Sequence, residues 1–93
     1  MSEIYAVTVI VTGRVQGVFF RASTQDAANS RQVNGWIKNM TDGSVQALFQ
    51  GTKSDVNGMV EWCWQGPPQS RVESVATKAV AVDPALTRFT ILY

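Results

Sequence analysis

Histidine is absent from the 93 residues, and cysteine occurs once, as Cys63. The first absence excludes histidine general bases and histidine-containing metal sites, and with them most familiar hydrolase machinery. A lone cysteine cannot close an internal disulfide, which fits a reducing compartment. Charge is also sparse: only 16% of the residues are charged, and eight basic against seven acidic side chains leave +1. Such a balance argues against a nucleic-acid binder that works by bulk charge, while leaving room for a small local basic site. No apolar run has the length of a membrane span. Glu3 precedes a short apolar stretch without the basic leader of a signal peptide. The expectation is a single cytoplasmic domain over residues 1–93, with one core built from a chain that is 45% hydrophobic.

What is present organises around Gly13-Arg14-Val15-Gln16-Gly17-Val18-Phe19-Phe20-Arg21. An apolar, β-branched run precedes it, and a polar, helix-compatible segment follows. Two glycines permit a tight backbone path between them. A strand–loop–helix junction of this kind turns backbone N–H groups toward one point, and the helix N-terminus behind it adds partial positive charge. Arg21 adds a full charge with a planar fork of donors. The stretch reads as an anion cradle, with a phosphoryl group as its natural occupant.

Periodicity supplies the frame. Residues 3–12 alternate as a strand, with Tyr5, Val7, Val9 and Val11 on one face and Ile4, Ala6, Thr8 and Ile10 on the other. Apolar residues on both faces make it an interior strand. A helix over about residues 20–32 follows, its stripe formed by Phe20, Thr24, Ala27, Ala28 and Arg31. Asn34-Gly35 ends it or begins the next turn. Residues 35–39 form a short strand, Asp42-Gly43 signals a hairpin, and residues 44–50 return, closed by Gly51. Val56, Met59, Val60 and Cys63 place a second helix over about residues 53–65, capped by Thr52 or Ser54 and stopped by Gly66-Pro67-Pro68. Residues 71–82 read as a strand of irregular phase, and Phe89, Ile91 and Tyr93 as a short last one. The order β-α-β-β-α-β with a short terminal strand predicts an α+β, two-layer ferredoxin-like sandwich. Right-handed crossovers place the first two strands parallel with one between them, in an antiparallel sheet with both helices on one face.

The carboxylates are scattered over different elements and match no zinc or calcium ligand spacing, so no metal site is expected. Cys63 falls on the core stripe of the second helix, as a buried thiol would. Ser23 and Thr24 lie near the cradle, but no His or Lys is placed to activate them, and capping or solvation accounts for them. Arg21 stands where a cation is unfavourable unless an anion bridges it to the helix N–H groups. Asn39 ends a strand parallel to the first, so it reaches the same rim as the cradle. On spacing alone it serves equally well as a turn former before Met40-Thr41-Asp42-Gly43. Trp36, Trp62 and Trp64 could in principle stack bases, but core or rim packing is the better reading of them. Residues 44–50 lack the Lys/Arg-Gly-aromatic pattern of RNA-reading sheets.

Residues 11–21 closely resemble the first signature of the acylphosphatase family. Gly35-Trp36-Ile37-Lys38-Asn39, followed by Gly43, Val45 and Gly51, resembles the second at the family's spacing. Ile37 replaces a smaller apolar residue, and the first helix is more polar at residues 29–32 than the family pattern. The resemblance implies hydrolysis of acyl phosphates to a carboxylate and inorganic phosphate. It implies that Arg21 and the N–H groups of the loop Val15, Gln16, Gly17, Val18, Phe19 and Phe20 hold the phosphate, and that Asn39 orients the attacking water. It implies no cofactor, a small-molecule substrate, no nucleic-acid or membrane partner, and a monomer. The alternative is a non-catalytic ferredoxin-like module that binds an anion or RNA.

Overall fold

The β-branched alternation of the first segment forms β1 (Ile4–Arg14) in a computed structural model that describes residues 3–93. There follow α1 (Phe20–Ser30), β2 (Asn34–Asn39), β3 (Val45–Thr52), α2 (Lys53–Gln65), β4 (Arg71–Val80) and β5 (Phe89–Ile91). The strands lie in the order β4-β1-β3-β2-β5. Strand β1 is antiparallel to β3 and β4, and β2 is antiparallel to β3. The first two strands are therefore parallel with one between them, as the crossover rule requires. The two-layer arrangement matches expectation; the wholly antiparallel sheet does not, because β5 runs parallel to β2.

The route of residues 81–88 explains that last pairing. After β4 the chain crosses the end of the sheet, where the buried Gln50 seizes it: Gln50 Nε2 donates to Asp83 O and the Asp83 N–H donates to Gln50 Oε1, both at 2.9 Å. Asn34 Nδ2 then donates to Leu86 O at 3.4 Å, and the Gly35 N–H to Arg88 O at 3.0 Å. Delivered to the far edge at the N-terminal end of β2, the chain can only run alongside it. Strands β1, β2 and β5 consequently end at one rim.

The core lies between the helices and the sheet. Val7, Val9, Val11, Ile37, Ala47 and Phe49 face Phe20, Ala28, Val56, Met59 and Cys63, all buried. Each such aliphatic or aromatic side chain removed from water contributes about 1.5–3 kcal/mol before chain entropy is subtracted. Phe20 meets Trp62 edge-on with ring centroids 5.7 Å apart, and Phe49 stacks on Phe89 at 5.9 Å. Trp64 is exposed rather than packed, whereas Trp36 is half-buried beneath Lys38. The cap of α2 is Thr52, whose hydroxyl accepts from the Asp55 N–H at 3.2 Å.

Three local expectations are revised. Helix α1 ends at Ser30 with Arg31 as its C-cap, not at Asn34-Gly35: beyond the cap Gln32 takes φ 57°, the Val33 N–H donates to Ala28 O at 2.8 Å, and the Gln32 N–H donates to Asn29 O at 3.2 Å. This pair of bonds satisfies the last carbonyls without glycine. Gly35 instead lies inside β2, where a Cβ would fall 1.7 Å from Leu48 O of β3. Arg31 is exposed, not part of the core stripe, and its guanidinium lies over Gly58 of α2. The irregular phase of β4 is a β-bulge: Thr12 pairs with Ser74 but Gly13 with Val72, so Glu73 is the additional residue.

Candidate active site

Two buried valines suspend the loop after β1. Val15 and Val18 point into the core, while Gly17 and Phe19 face outward. Gly17 takes φ 72° and Phe19 φ 63°, with no other positive φ between residues 14 and 31. Alternation of the sign of φ along residues 16–20 turns successive N–H groups to one side, the backbone concavity that receives anions. The first N–H of this region to donate to a backbone carbonyl, among the described residues, is that of Ser23, which reaches Phe19 O at 3.0 Å. Phe19 is also the N-cap of α1 and supplies no side-chain cap, and the first helical turn contains no acidic residue. The loop donors and the positive end of the helix are thus uncompensated by the protein itself.

Arg21 stands in that first turn, half-buried. Its Nη1 donates to Leu92 O at 3.3 Å, and its Cζ lies 4.9 Å from the centroid of the Tyr93 ring. A planar guanidinium suits both contacts, and they leave other N–H groups of the fork unused. Asn39 is exposed at the end of β2, opposite Val45. Arg21 and Asn39 border one cavity of about 270 Å³, together with Val15, Gly17, Phe19 and Phe20 of the loop and with Ala22, Ile91 and Tyr93. The topology accounts for the meeting, since β1, β2 and β5 all end at this rim.

Of the loop residues expected at the site, Gln16 and Val18 send their side chains elsewhere. Val18 is core. Gln16 Nε2 donates to Met40 O and to Ser44 O, both at 2.8 Å, and so bolts the loop to the β2–β3 hairpin. The hairpin is itself braced by Asp42, which accepts from the Ser44 hydroxyl at 2.6 Å and the Ser44 N–H at 2.9 Å. These two bonds hold the Asp42 carboxyl below its usual range. The structural part of Gln16, the left-handed Phe19 and the arrival of Leu92 and Tyr93 at the site were not foreseen. A polar residue between Val15 and Val18, both of which prove to be core, was the available hint for Gln16.

Neither Cys63 nor Thr24 offers a nucleophile to the cavity. Cys63 is buried on α2, and burial pushes its thiol up to about 12. Thr24 is neither a cap nor solvated: it is buried, and its hydroxyl donates to Phe20 O at 2.7 Å. Among the described residues, no three His, Cys, Asp or Glu side chains gather as a metal site would require.

Comparison with known proteins places the fold and the family. The acylphosphatase family model matches residues 7–91. An acylphosphatase of Natronomonas pharaonis is 49% identical over 75 residues, which are 81% of this chain and 82% of that protein. The crystal structure of an acylphosphatase from Bacillus subtilis superposes with a TM-score of 0.91 at 36% identity, covering 96% of this chain and 99% of that one. The structure of an acylphosphatase from Coxiella burnetii gives a TM-score of 0.91 at 35% identity, over 96% of this chain and 93% of that one. No helix among the described residues is long and apolar enough to cross a membrane. With its fold, both sequence signatures and these relatives in agreement, the chain belongs to the acylphosphatase family of hydrolases.

Proposed function

We propose that the protein hydrolyses the carboxyl–phosphate bond of small acyl phosphates by direct attack of water. Arg21 and the N–H groups of residues 15–20 hold the phosphoryl oxygens, and Asn39 fixes the water in line with the leaving carboxylate. The observation that carries this reading is the single cavity bordered by Arg21, Asn39 and the loop of alternating φ.

The residue types select the substrate class. An asparagine amide is no base near neutral pH; it can accept a hydrogen bond from water and set its direction. That suffices where the leaving group needs no proton. A carboxylate leaves with a pKa of about 4, whereas an alcohol leaving a phosphate monoester requires an acid. The water oxygen–phosphorus bond forms, the phosphorus–acyl oxygen bond breaks, and the carboxylate departs with the electron pair. Both water protons end on the inorganic phosphate, so no side chain needs to change its protonation state. Phosphoryl transfer proceeds through a loose transition state in which positioning and electrostatics do most of the work. An arginine, a set of backbone donors and an aligned water are adequate parts.

Phosphate release from acetyl phosphate, assayed with and without a chelator, tests the reaction. The decisive variant is Asn39→Ala. Loss of the group that aligns the water should lower kcat by about 10²-fold or more, while inorganic phosphate still inhibits competitively. Near-normal turnover by a folded Asn39→Ala protein would remove Asn39 from the mechanism, and absence of release by the wild type would leave an anion-binding module.

A further inference from the structure

We infer that Gln50, at the end of the sheet remote from the cavity, is a positioning residue for Arg21 and thereby for phosphate binding. The inference rests on the reading above of Arg21 as the phosphate-holding cation, and adds what holds Arg21 in place. Gln50 pairs with Ala6 of β1 and Asn34 of β2, whereas the pair at the rim is Val45 with Asn39. The five residues of β3 between the two positions span about 17 Å at ~3.4 Å per residue. Gln50 is nonetheless only 6% exposed, and both polar atoms of its amide are committed to one residue, Asp83. Burying an amide is unfavourable unless its hydrogen bonds compensate, and an aliphatic side chain would fill the same space without that cost. What the amide alone provides is a fixed point for the chain that follows β4.

From that point the chain is held stepwise to the site. Asp83 organises a turn: its carbonyl oxygen also accepts from the Leu86 N–H at 3.2 Å, and its Oδ1 accepts from the Ala85 N–H at 2.9 Å. Asn34 Nδ2 reaches Leu86 O at 3.4 Å and the Gly35 N–H reaches Arg88 O at 3.0 Å, so the two bonds from Gln50, both at 2.9 Å, are the shortest ties of residues 83–88 to the sheet. Strand β5 follows, three residues long with β2 as its neighbour, and the Leu92 N–H donates to Ile37 O at 2.8 Å. Leu92 O then accepts from Arg21 Nη1, and the Tyr93 ring lies against the same guanidinium. A short edge strand fixes its own register weakly. Slack at Asp83 is therefore passed along β5 to the two residues that orient the guanidinium fork.

The test uses Gln50→Met, which keeps the length of the side chain and removes both hydrogen bonds. Val56→Ala, which opens the buried face of α2, is the control for general loss of stability. The dissociation constant of inorganic phosphate by calorimetry, and kcat for acetyl phosphate, are read well below each unfolding midpoint. In Gln50→Met the dissociation constant should rise and kcat should fall, each by about tenfold, within the 10²-fold that a ~1 Å displacement can cost. Val56→Ala should be less stable with wild-type values of both. Gln50→Glu covers the case in which Gln50→Met does not fold. Ionised, its carboxylate faces Asp83 O; protonated, it donates to Asp83 O and accepts from the Asp83 N–H as the amide does. Asp83 itself and Asp55, which borders a cavity with Gln50, both oppose its ionisation. The deficit of Gln50→Glu relative to wild type should accordingly shrink between about pH 7 and about pH 5. Wild-type phosphate affinity and kcat in folded Gln50→Met would overturn the inference, because the stack of Phe89 on Phe49 would then suffice to hold β5. Equal losses in Val56→Ala, a deficit of Gln50→Glu that ignores pH, or no phosphate binding by the wild type would also overturn it. Phosphate binding that weakens in Gln50→Met, without turnover of acetyl phosphate by any of the proteins, would refute the hydrolytic reading and sustain the role of Gln50.

Discussion

The side-chain amide of Gln16 donates to the carbonyl oxygen of Met40 at 2.8 Å, so the loop after β1 is anchored to the hairpin that follows Asn39. The same nitrogen reaches Ser44 O at 2.8 Å. One side chain thereby fixes the separation between the proposed phosphate cradle and the proposed water-positioning residue.

This arrangement distinguishes two substitutions. In Gln16→Ala both carbonyls keep a second donor, since the Gly43 N–H reaches Met40 O at 3.2 Å and the Met40 N–H reaches Ser44 O at 2.8 Å. The expected loss of stability is about 1–2 kcal/mol. Gln16→Glu instead aims a carboxylate at two carbonyl oxygens and should be the more destabilised at neutral pH. Its folded-state pKa would be raised above the unfolded value of about 4.3, so stability is present below that value and lost as pH rises through it. Urea midpoints of both variants at pH 4 and pH 7 provide the check, with the gap between them narrowing at pH 4. Activity should fall in both by about tenfold or more, because displacements of ~1 Å cost up to 10²-fold.

Arg21 separates charge from shape. Arg21→Lys retains the cation but loses the planar fork and the flat contact with Tyr93. It should lower kcat by about 10²–10³-fold, the usual effect of removing a transition-state donor, and weaken competitive inhibition by inorganic phosphate. Arg21→Ala should abolish measurable phosphate inhibition and nearly all turnover. Stability should change little in either, because the one hydrogen bond of the Arg21 side chain among the described residues is to Leu92 O. Wild-type phosphate inhibition in Arg21→Ala would remove Arg21 from the cradle.

The layered fold is legible in the sequence because alternation in residues 4–12 and the stripe of Val56, Met59 and Cys63 each permit one period only. Chirality then fixes which strand ends share a rim, and that alone brings Arg21 near Asn39. The rest depends on interactions that local pattern does not encode. Strand β5 has three residues and no measurable period; its partner and direction follow from Gln50 gripping Asp83, Asn34 gripping Leu86 and the Gly35 N–H holding Arg88 O. Positive φ is expected at glycine, which identifies Gly17 but conceals Phe19 and Gln32. Gly35 reads as a turn signal, yet its use is to let β2 approach Leu48 of β3. Thr24, next to the cradle in sequence, turns its hydroxyl back onto its own helix.

Phe19 also carries a stability prediction that does not depend on any substrate. A non-glycine residue in the left-handed region costs about 1–3 kcal/mol, and a ring exposed at 77% recovers little of that by burial. Phe19→Gly removes the strain, while the greater freedom of glycine in the unfolded chain offsets part of the gain. The net expectation is a stabilisation of about 1 kcal/mol, read as a higher urea midpoint with an unchanged m-value. A lower midpoint would mean that the ring makes contacts worth more than the strain it causes.

Cys63 gives the protein an alkaline limit. Burial in the core raises its thiol from 9.0 to about 12. The raised value means that the fold resists ionisation, whereas the unfolded chain ionises normally. The associated stability is complete below pH 9 and is lost as pH rises from 9 toward 12, at up to about 1.4 kcal/mol per pH unit. Tyrosine and lysine also titrate in this range, but they are common to wild type and Cys63→Ala, so the difference between the two isolates the thiol. That difference should shift toward the variant with each step above pH 9, measured by urea unfolding under reducing conditions. Iodoacetamide should leave the native thiol unmodified at pH 8 and label it once urea has unfolded the chain. Parallel pH profiles for the two proteins, or rapid labelling of the native state, would show that Cys63 is not sealed in the core.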